Sequence, residues 1–492
     1  MNRNTHFIDN QWLAGQGVEF NSIDPGLGEP CWTGRNGTVG EVKSAVDAAG
    51  KAFESWAEKA LAERAGFLEA FRSQVTTRRE ELVEAICLET GKPTWESVTE
   101  ADAVAAKIDL AIRAYADRCR LQEGQLGTAS TAVRFRPHGV VAVFGPFNLP
   151  AHLPNGHIVP ALLAGNTVVL KPSEQAPLVS QKMVEFWQAA GLPRGVLNMV
   201  QGGRDTGAAL AGDTGIDGLF FTGSAETGKA LHRSFAGRPD KILALEMGGN
   251  NPLLVHETAD VDTAAYLTVL SAFITAGQRC TCARRLIVPD GAGGDRFIER
   301  LVTSMARIVV DRYTAIPVPF MGPVISQAAR TVLLEAQSDL IRKGGRVLVP
   351  MTPLDRPGSF VTPGLIDVTN VPDRPDVELF GPFLQLIRVP DFDAGLREAD
   401  NTAFGLAASL LSDKRELYER FLRKLRAGVI NWNRQTTGAP GAMPFGGVKA
   451  SGNHRPSGYY ASDYCSYPIA SIEDQRLTMP EGLIPGIEAG FN

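Results

Sequence analysis

Residues 137–170 carry no Asp, Glu, Lys or Arg, a run long enough on paper to cross a bilayer. Its other residues argue against that. Pro146, Pro150, Pro154 and Pro160 interrupt it, and His138, His152, His157, Asn148, Asn155 and Asn166 lie among its apolar residues. A spanning segment would have to satisfy all of those polar groups in hydrocarbon. The run is therefore expected to be buried protein interior close to a site.

The remaining composition fits that reading. A chain of 492 residues suggests about three structural units. Apolar residues at 44% and charged residues at 21% are ordinary globular usage and exclude a disordered chain. The 49 Lys and Arg against 54 Asp and Glu give a net charge of −5, with no sustained basic block, so no nucleic-acid partner is expected. Six cysteines are too few for a disulfide scaffold and fit a reducing compartment. The start, Met1-Asn2-Arg3-Asn4-Thr5-His6-Phe7, lacks the apolar core and cleavage site of a secretory signal. The expectation is a cytoplasmic protein that does not enter a membrane.

Between residues 40 and 119 the period is helical. Val42, Ala45, Val46, Ala49, Ala52, Phe53 and Trp56 recur at steps of three and four. Further helices are expected over 62–75, 79–89 and 95–119, with Gly91 and Pro93 as stop signals between the last two. At Thr131 the period changes to two. Val133 and Phe135 alternate with Arg134 and Arg136, as in an exposed strand. Beyond it, strands at 140–144, 167–170, 196–200 and 218–222 alternate with helices at 157–164, 176–190 and 204–210. That alternation implies an α/β fold, a parallel sheet covered on both faces. A second α/β region spans about 250–443, with strands at 252–255, 286–288 and 385–389 and helices at 263–275, 295–309, 328–343 and 414–425. The aromatic and apolar stretch from Ala461 is expected to pair with 131–136 as an arm.

Four local patterns carry chemistry. Ala276-Gly277-Gln278-Arg279-Cys280-Thr281-Cys282 places a cysteine just after a glycine, where an electropositive, partly open setting would favour the thiolate. Alone, such a cysteine reads first as a buried, inert thiol. Structural zinc needs about four ligands, and Cys280-x-Cys282 has no Cys or His pair nearby, so no metal is expected. Leu245-Glu246-Met247-Gly248-Gly249 ends a strand in a tight turn and can hold a base over an open site. The turn Gly223-Ser224-Ala225-Glu226-Thr227-Gly228, between a strand and a helix, offers free N–H groups to a phosphate. It lacks the full G-x-G-x-x-G pattern, because position 225 is Ala. Lys171-Pro172-Ser173-Glu174 closes another strand of the same sheet, with Lys171 able to reach adenosine-ribose hydroxyls. Finally, Asn148 between Pro146 and Pro150 is a rigid amide donor suited to an oxyanion, worth about 3–4 kcal/mol.

Together these residues resemble the aldehyde dehydrogenase superfamily, along almost the whole chain. The match runs from Pro146-Phe147-Asn148-Leu149-Pro150, where the family often has Trp at position 147, through Lys171-Pro172-Ser173-Glu174, the Gly223–Gly228 turn and Leu245-Glu246-Met247-Gly248-Gly249. It continues through Gly277-Gln278-Arg279-Cys280, Glu378-Leu379-Phe380-Gly381-Pro382 and Pro444-Phe445-Gly446-Gly447. Within the superfamily, residues 156–166, 276–285, 429–433 and 451–457 are most similar to the branch that oxidises the semialdehyde of a succinylated amino acid. The resemblance implies two parallel-sheet α/β domains plus a small β oligomerisation arm. An NAD-binding domain would span 1–118 and 138–248, a catalytic domain 249–443, and the arm 119–137 and 461–492, serving a homodimer or dimer of dimers. It also implies Cys280 as nucleophile, Asn148 and the Cys280 N–H as oxyanion donors, and Glu246 as the base for hydrolysis. Lys171 and Glu174 would contact the adenosine ribose, Ser224 the pyrophosphate, and Glu378 and Phe380 the nicotinamide side. Glu174 should disfavour a 2′-phosphate, making NAD the expected cofactor. The implied substrate is a small acidic aldehyde with two carboxylates, for which Arg279, Arg434 and Arg455 are candidate anchors. Succinate or glutamate semialdehyde is the alternative within the chemistry. A non-catalytic protein on the same fold is the alternative outside it.

Overall fold

The computed structural model describes residues 4–479, Gly482 and Gly486. Four helices come early: α1 (Val39–Ala57), α2 (Leu61–Thr77), α3 (Arg79–Thr90) and α4 (Thr94–Arg118). Val42, Ala45, Val46, Ala49, Ala52 and Trp56 form the buried face of α1, and Phe53 is half-buried. Thr38 and Glu41 start that helix reciprocally. The Thr38 N–H donates to Glu41 Oε2 at 2.9 Å, and the Thr38 hydroxyl accepts from the Glu41 N–H. Gly91 ends α3 at φ 69°, where a Cβ would lie 2.5 Å from Pro323, so no other residue fits there.

The expected alternation follows. Val140–Phe144, α5 (His152–Ala164), Thr167–Lys171, α6 (Pro177–Ala189), Leu197–Met199, α7 (Arg204–Gly212), Gly218–Gly223, α8 (Ala225–Ser234) and Ile242–Met247 succeed one another. Their five strands are parallel, in the order Ile242–Met247, Gly218–Gly223, Val140–Phe144, Thr167–Lys171, Leu197–Met199. An N-terminal hairpin, Asn4–Ile8 and Gln11–Ala14, adds two antiparallel strands at the far edge. That hairpin was not expected from the sequence, because an edge strand as exposed as Gln11–Ala14 shows no apolar period. Helices cover both faces of the sheet. On one, Phe71 stacks on Trp187 with ring centroids 3.8 Å apart; the other buries Ala45, Val46 and Leu210.

The uncharged run is interior, with every residue from 153 to 172 buried. Most of its polar groups have partners inside the protein, although His152 Nδ1 and Asn155 Oδ1 are buried without one. Asn155 Nδ2 donates to the Val104 carbonyl at 3.2 Å. Asn166 donates to the Ala161 and Cys465 carbonyls and accepts from the His138 and Gly139 N–H groups. Among the described residues no helix is long and apolar enough to cross a membrane.

The second sheet runs Arg346–Val349, Gly364–Asp367, Phe383–Val389, Ala283–Pro289, Asn251–Val255, Ala407–Leu411, Val429–Trp432. All its neighbours are parallel except the first pair. Ser466–Glu473 pairs antiparallel with Ala129–Pro137, placing Ile469 opposite Arg134, and Gln122–Leu126 adds a third strand. The remainder of the expected arm, residues 480–481, 483–485 and 487–492, lies outside the described residues.

Candidate active site

Chain order creates a crevice in the first sheet. Val140–Phe144 has its successor Thr167–Lys171 on one side and the later Gly218–Gly223 on the other. At such a switch point the connections leave in opposite directions, and a ligand groove opens beyond the carboxyl ends of the strands. Asn148, Lys171, Ser224 and Glu246 all lie at or just past those ends. Gly248, Gly249 and Asn250 then carry the chain from Ile242–Met247 into Asn251–Val255, the first strand of the second sheet in chain order. The crevice therefore faces the second sheet.

Cys280 sits on a turn between a short 3-10 segment, Ile274–Gly277, and the strand Ala283–Pro289. Thr275, Ala276 and Gly277 have φ of 56°, 51° and 68°. A Cβ on Gly277 would lie 2.1 Å from the Gly381 carbonyl oxygen, so this close approach requires glycine. The turn is held from two sides. Asn251 Nδ2 donates to the Cys280 and Cys282 carbonyls at 2.7 and 2.9 Å. The fully buried Arg284 donates to the carbonyls of Gly277 (2.6 Å), Arg279 (3.0 Å) and Gly381 (3.2 Å), tying the Cys280 turn to the loop of Glu378 and Phe380.

Glu246 is 1% exposed, and neither carboxyl oxygen has a hydrogen-bond partner. Burial pushes its pKa up to about 8, with the nearby Cys280 thiol pulling the other way and the Glu378 charge adding to the rise. Burial, then Glu246 and Glu378, push the half-buried Cys280 thiol well above its ordinary value. This corrects the expectation of an electropositive setting. Two carboxyls face the sulfur, because the Glu378 loop folds in from the second sheet. A thiol in such surroundings needs a base to take its proton, and Glu246 is placed to do so. Burial also raises Glu378 to about 7, against the pull of Arg284 and the Gly249 N–H. Gly248 makes room for it: a Cβ there would lie 1.7 Å from Glu378 Oε2.

Asn148 is buried, and its Nδ2 donates to the Gln278 carbonyl at 2.9 Å, two residues before Cys280. A primary amide has two N–H donors, so one remains for an oxygen bound at the sulfur. Phe147 and Phe380 meet edge-on at 5.8 Å, and Arg284 lies 5.4 Å from the Phe380 ring. The Asn148 loop and the Glu378 loop thus close on the Cys280 turn from opposite sheets.

At the carboxyl end of its strand, Lys171 is buried, donates to the Gly202 carbonyl at 2.7 Å and pairs with the half-exposed Glu174 at 3.6 Å. Burial lowers the Lys171 pKa, and Glu174 partly restores it. The Ser224 hydroxyl caps α8, accepting from the Thr227 N–H at 3.2 Å and donating to Thr227 Oγ1 at 3.0 Å. Ala225, Glu226 and Thr227 form the first turn of that helix. Gly228 packs where a Cβ would lie 2.2 Å from Met247 Sδ, and a Cβ on Gly223 would lie 2.5 Å from the Phe221 ring.

The three arginines have different surroundings. Arg279 has its charge met by Glu96 at 2.8 Å and its Nε bonded to the Thr275 hydroxyl at 2.7 Å. Arg455 donates to the Gly447 carbonyl at 2.7 Å. Arg434 is exposed, and its side chain makes no ion pair among the described residues. Sequence reasoning passed over Lys92, Glu96, Glu100, Asn251 and Arg284. It also passed over the role of residues 451–453, which dock onto the strand that carries Glu246. Asn453 Oδ1 accepts from the Leu245 N–H at 2.7 Å, and the Ser451 hydroxyl donates to the Gly248 carbonyl at 2.8 Å. The available signal was Glu96 and Glu100, two carboxylates four residues apart on one helix face.

A thiol beside a buried, unpartnered carboxyl and an amide donor, in the crevice of a doubly covered parallel sheet, defines an enzyme of covalent thiol chemistry on a carbonyl. The chain belongs to the aldehyde dehydrogenase family, whose model matches residues 12–468. It is 54% identical over 485 residues to an N-succinylglutamate 5-semialdehyde dehydrogenase of Pseudomonas fluorescens, covering 99% of both chains. Among solved structures, an NAD-dependent aldehyde dehydrogenase from Sinorhizobium meliloti superposes with a TM-score of 0.92 at 29% identity, covering 98% of this chain and 96% of that one. An NADP-dependent enzyme of E. coli superposes with 0.90 at 30% identity, covering 96% and 98%.

Proposed function

We propose that this protein oxidises N-succinyl-L-glutamate 5-semialdehyde to N-succinyl-L-glutamate with NAD, in arginine degradation by the succinyltransferase route. The observation that carries the reaction is Glu246, a carboxyl buried without a hydrogen-bond partner and close enough to the Cys280 thiol that each shifts the other's ionisation. The substrate rests on the likeness to the Pseudomonas relative over the whole length of both chains.

Glu246 takes the Cys280 proton as the sulfur attacks the aldehyde carbon. The oxyanion of the thiohemiacetal is held by Asn148 Nδ2 and the Cys280 N–H. NAD, when bound, supplies the hydride acceptor. Loss of the hydride leaves a thioester on Cys280; Glu246, its first proton passed to solvent, takes a proton from the water that releases the acid and returns it to the leaving Cys280 sulfur. The donor set fits a dinucleotide. In the first turn of α8, Ser224 occupies only the Thr227 N–H, leaving other N–H groups open to a pyrophosphate. Lys171 and Glu174 stand two strands along, at the end of Thr167–Lys171, for the ribose, and Glu378 Oε1, buried without a hydrogen-bond partner, stands beside Phe380 for the nicotinamide side. The Glu174 carboxylate beside the ribose favours NAD over its 2′-phosphorylated form. Of the three arginines, Arg434 alone is exposed and without an ion pair among the described residues, which favours it for a substrate carboxylate over Arg279, already paired with Glu96.

Residues 1–118 and 138–248 serve as the NAD-binding unit, 249–443 as the catalytic unit, and 119–137 with 461–492 as the arm of a cytoplasmic homodimer or dimer of dimers. Support for the arm comes from Leu126 and Ile472, 60% and 66% exposed on its strands. The test is steady-state NADH formation from the succinylated semialdehyde beside succinate and glutamate semialdehydes, without coenzyme A. A kcat/KM at least tenfold higher for the succinylated compound supports the proposal, and a preference for either shorter aldehyde rejects the substrate.

A further inference from the structure

We propose that Glu96 and Glu100 of α4 form a two-pronged clamp that sets the spacing between the Asn148 amide and the Cys280 turn. They are positioning residues for the reaction, and the inference rests on the roles given to Cys280 and Asn148 above.

The two carboxylates lie one helical turn apart, so they project from one face of α4. They are 1% and 3% exposed. Each grips a different half of the site. Glu96 Oε1 accepts from Arg279 Nη2 at 2.8 Å and from the Thr275 hydroxyl, and Arg279 Nε donates to that same hydroxyl at 2.7 Å. It therefore holds both ends of the segment 275–279, whose left-handed residues Thr275 and Ala276 lead into the nucleophile. Glu100 Oε1 accepts from the Ala151 and His152 N–H groups at 2.9 and 3.1 Å. Its Oε2 meets the Lys92 ammonium, which in turn donates to the Asn148 carbonyl at 2.9 Å. Asn148 Nδ2 to the Gln278 carbonyl closes the ring. Helix, amide loop and nucleophile turn are thereby joined in one circuit of directional bonds.

Packing alone does not call for this arrangement. Two buried carboxylates with one buried cation, Lys92, and one half-buried, Arg279, are weak evidence of stability, since apolar residues of the same volume often hold a fold as well. Their value is directional. Each carboxylate accepts several hydrogen bonds at fixed angles and so fixes where the oxyanion donors stand, and a misplacement of about 1 Å in such a site costs roughly 100-fold in rate.

The test compares Glu96→Leu, Glu100→Leu, Glu96→Gln and Glu100→Gln in the full chain. Readouts are kcat, KM for NAD, the rate of Cys280 alkylation by iodoacetamide and the thermal midpoint. The clamp expects kcat to fall about 100-fold in both Leu variants with KM for NAD within about twofold. Glu96→Gln should recover most of the loss, because one amide oxygen can accept both bonds made by Glu96 Oε1. Glu100→Gln should recover little, because Glu100 accepts with both oxygens and an amide NH2 would face another donor. Alkylation should change for Glu96→Leu, which frees the nucleophile turn, and stay near wild type for Glu100→Leu. Lys92→Met tests the Asn148 side should a Leu variant not fold, and it too should lose kcat without losing NAD affinity. A kcat within about threefold of wild type in the folded Leu variants, or a Glu96→Leu loss that Glu96→Gln does not restore, overturns the clamp and leaves the site reading intact. A wild type that forms no NADH from any aldehyde overturns the site reading and the clamp with it.

Discussion

Glu246 should cost the protein stability in order to serve as its base, and Glu246→Gln separates the two effects. The carboxyl is 1% exposed and its pKa is raised from 4.5 to about 8. A group with a raised folded pKa binds its proton more tightly in the native state, so stability is full below pH 4.5 and is lost as pH rises through about 8. At 1.36 kcal/mol per pH unit, the loss is about 2 kcal/mol at pH 6 and approaches about 5 kcal/mol above pH 8. Between pH 6 and 9 wild type should therefore lose about 3 kcal/mol more than Glu246→Gln, which cannot ionise there. Glu378 titrates in both proteins and cancels to first order. Denaturant unfolding at pH 6 and pH 9 measures this difference. In parallel, kcat of the variant should fall by about 10²–10⁴, the usual worth of a general base, and wild-type kcat should rise with pH through about 8 as the base ionises. Equal pH dependence of unfolding in the two proteins would refute the buried-base reasoning, even if activity were lost.

Other perturbations test neighbouring parts of the site. Asn148→Ala should lower kcat by about 10²–10³ with little change in KM for NAD, measured by steady-state NADH formation; a change confined to KM would remove the amide from the oxyanion role. Glu174→Gln should raise kcat/KM with NADP relative to NAD by about tenfold or more, from the removal of like charge beside the 2′-phosphate; an unchanged ratio removes that basis for cofactor choice. Gly248→Ala should leave the protein folded but displace the Glu378 carboxylate, whose Oε2 would lie 1.7 Å from the new Cβ. Circular dichroism should stay at wild type while KM for NAD rises, and an unaltered KM would take Glu378 out of the cofactor site.

How much of this was legible in the sequence follows from which residues face what. Val140–Phe144 and Thr167–Lys171 are buried along their whole length, so they stand out as short apolar runs, and α1 carries its core on one stripe. The edge strands do not stand out. Gln11–Ala14 and Arg346–Val349 are exposed or half-buried throughout, and an antiparallel edge of that kind leaves no clean alternation. The reacting groups Cys280, Glu246 and Asn148 are readable because each sits in or beside a turn marked by glycines or prolines. Their surroundings are not. The acidic field around Cys280 depends on Glu378, which arrives from another loop, and the buried carboxylates of α4 have the local signature of solvated ones. Spacing along a helix tells which residues share a face; it does not tell whether that face meets water or the backbone of an active site.

The central claim is that the Cys280 sulfur carries the substrate carbon through oxidation. Mixing wild-type enzyme with the succinylated semialdehyde and NAD, quenching in acid within the first turnover and mapping the peptides by mass spectrometry tests it directly, because the thioester forms before water releases the acid. The expected result is an acyl adduct on Cys280, formed in step with a burst of NADH and absent from Cys282. NADH formation with Cys280 unmodified, or an undiminished burst in Cys280→Ser, would contradict the account.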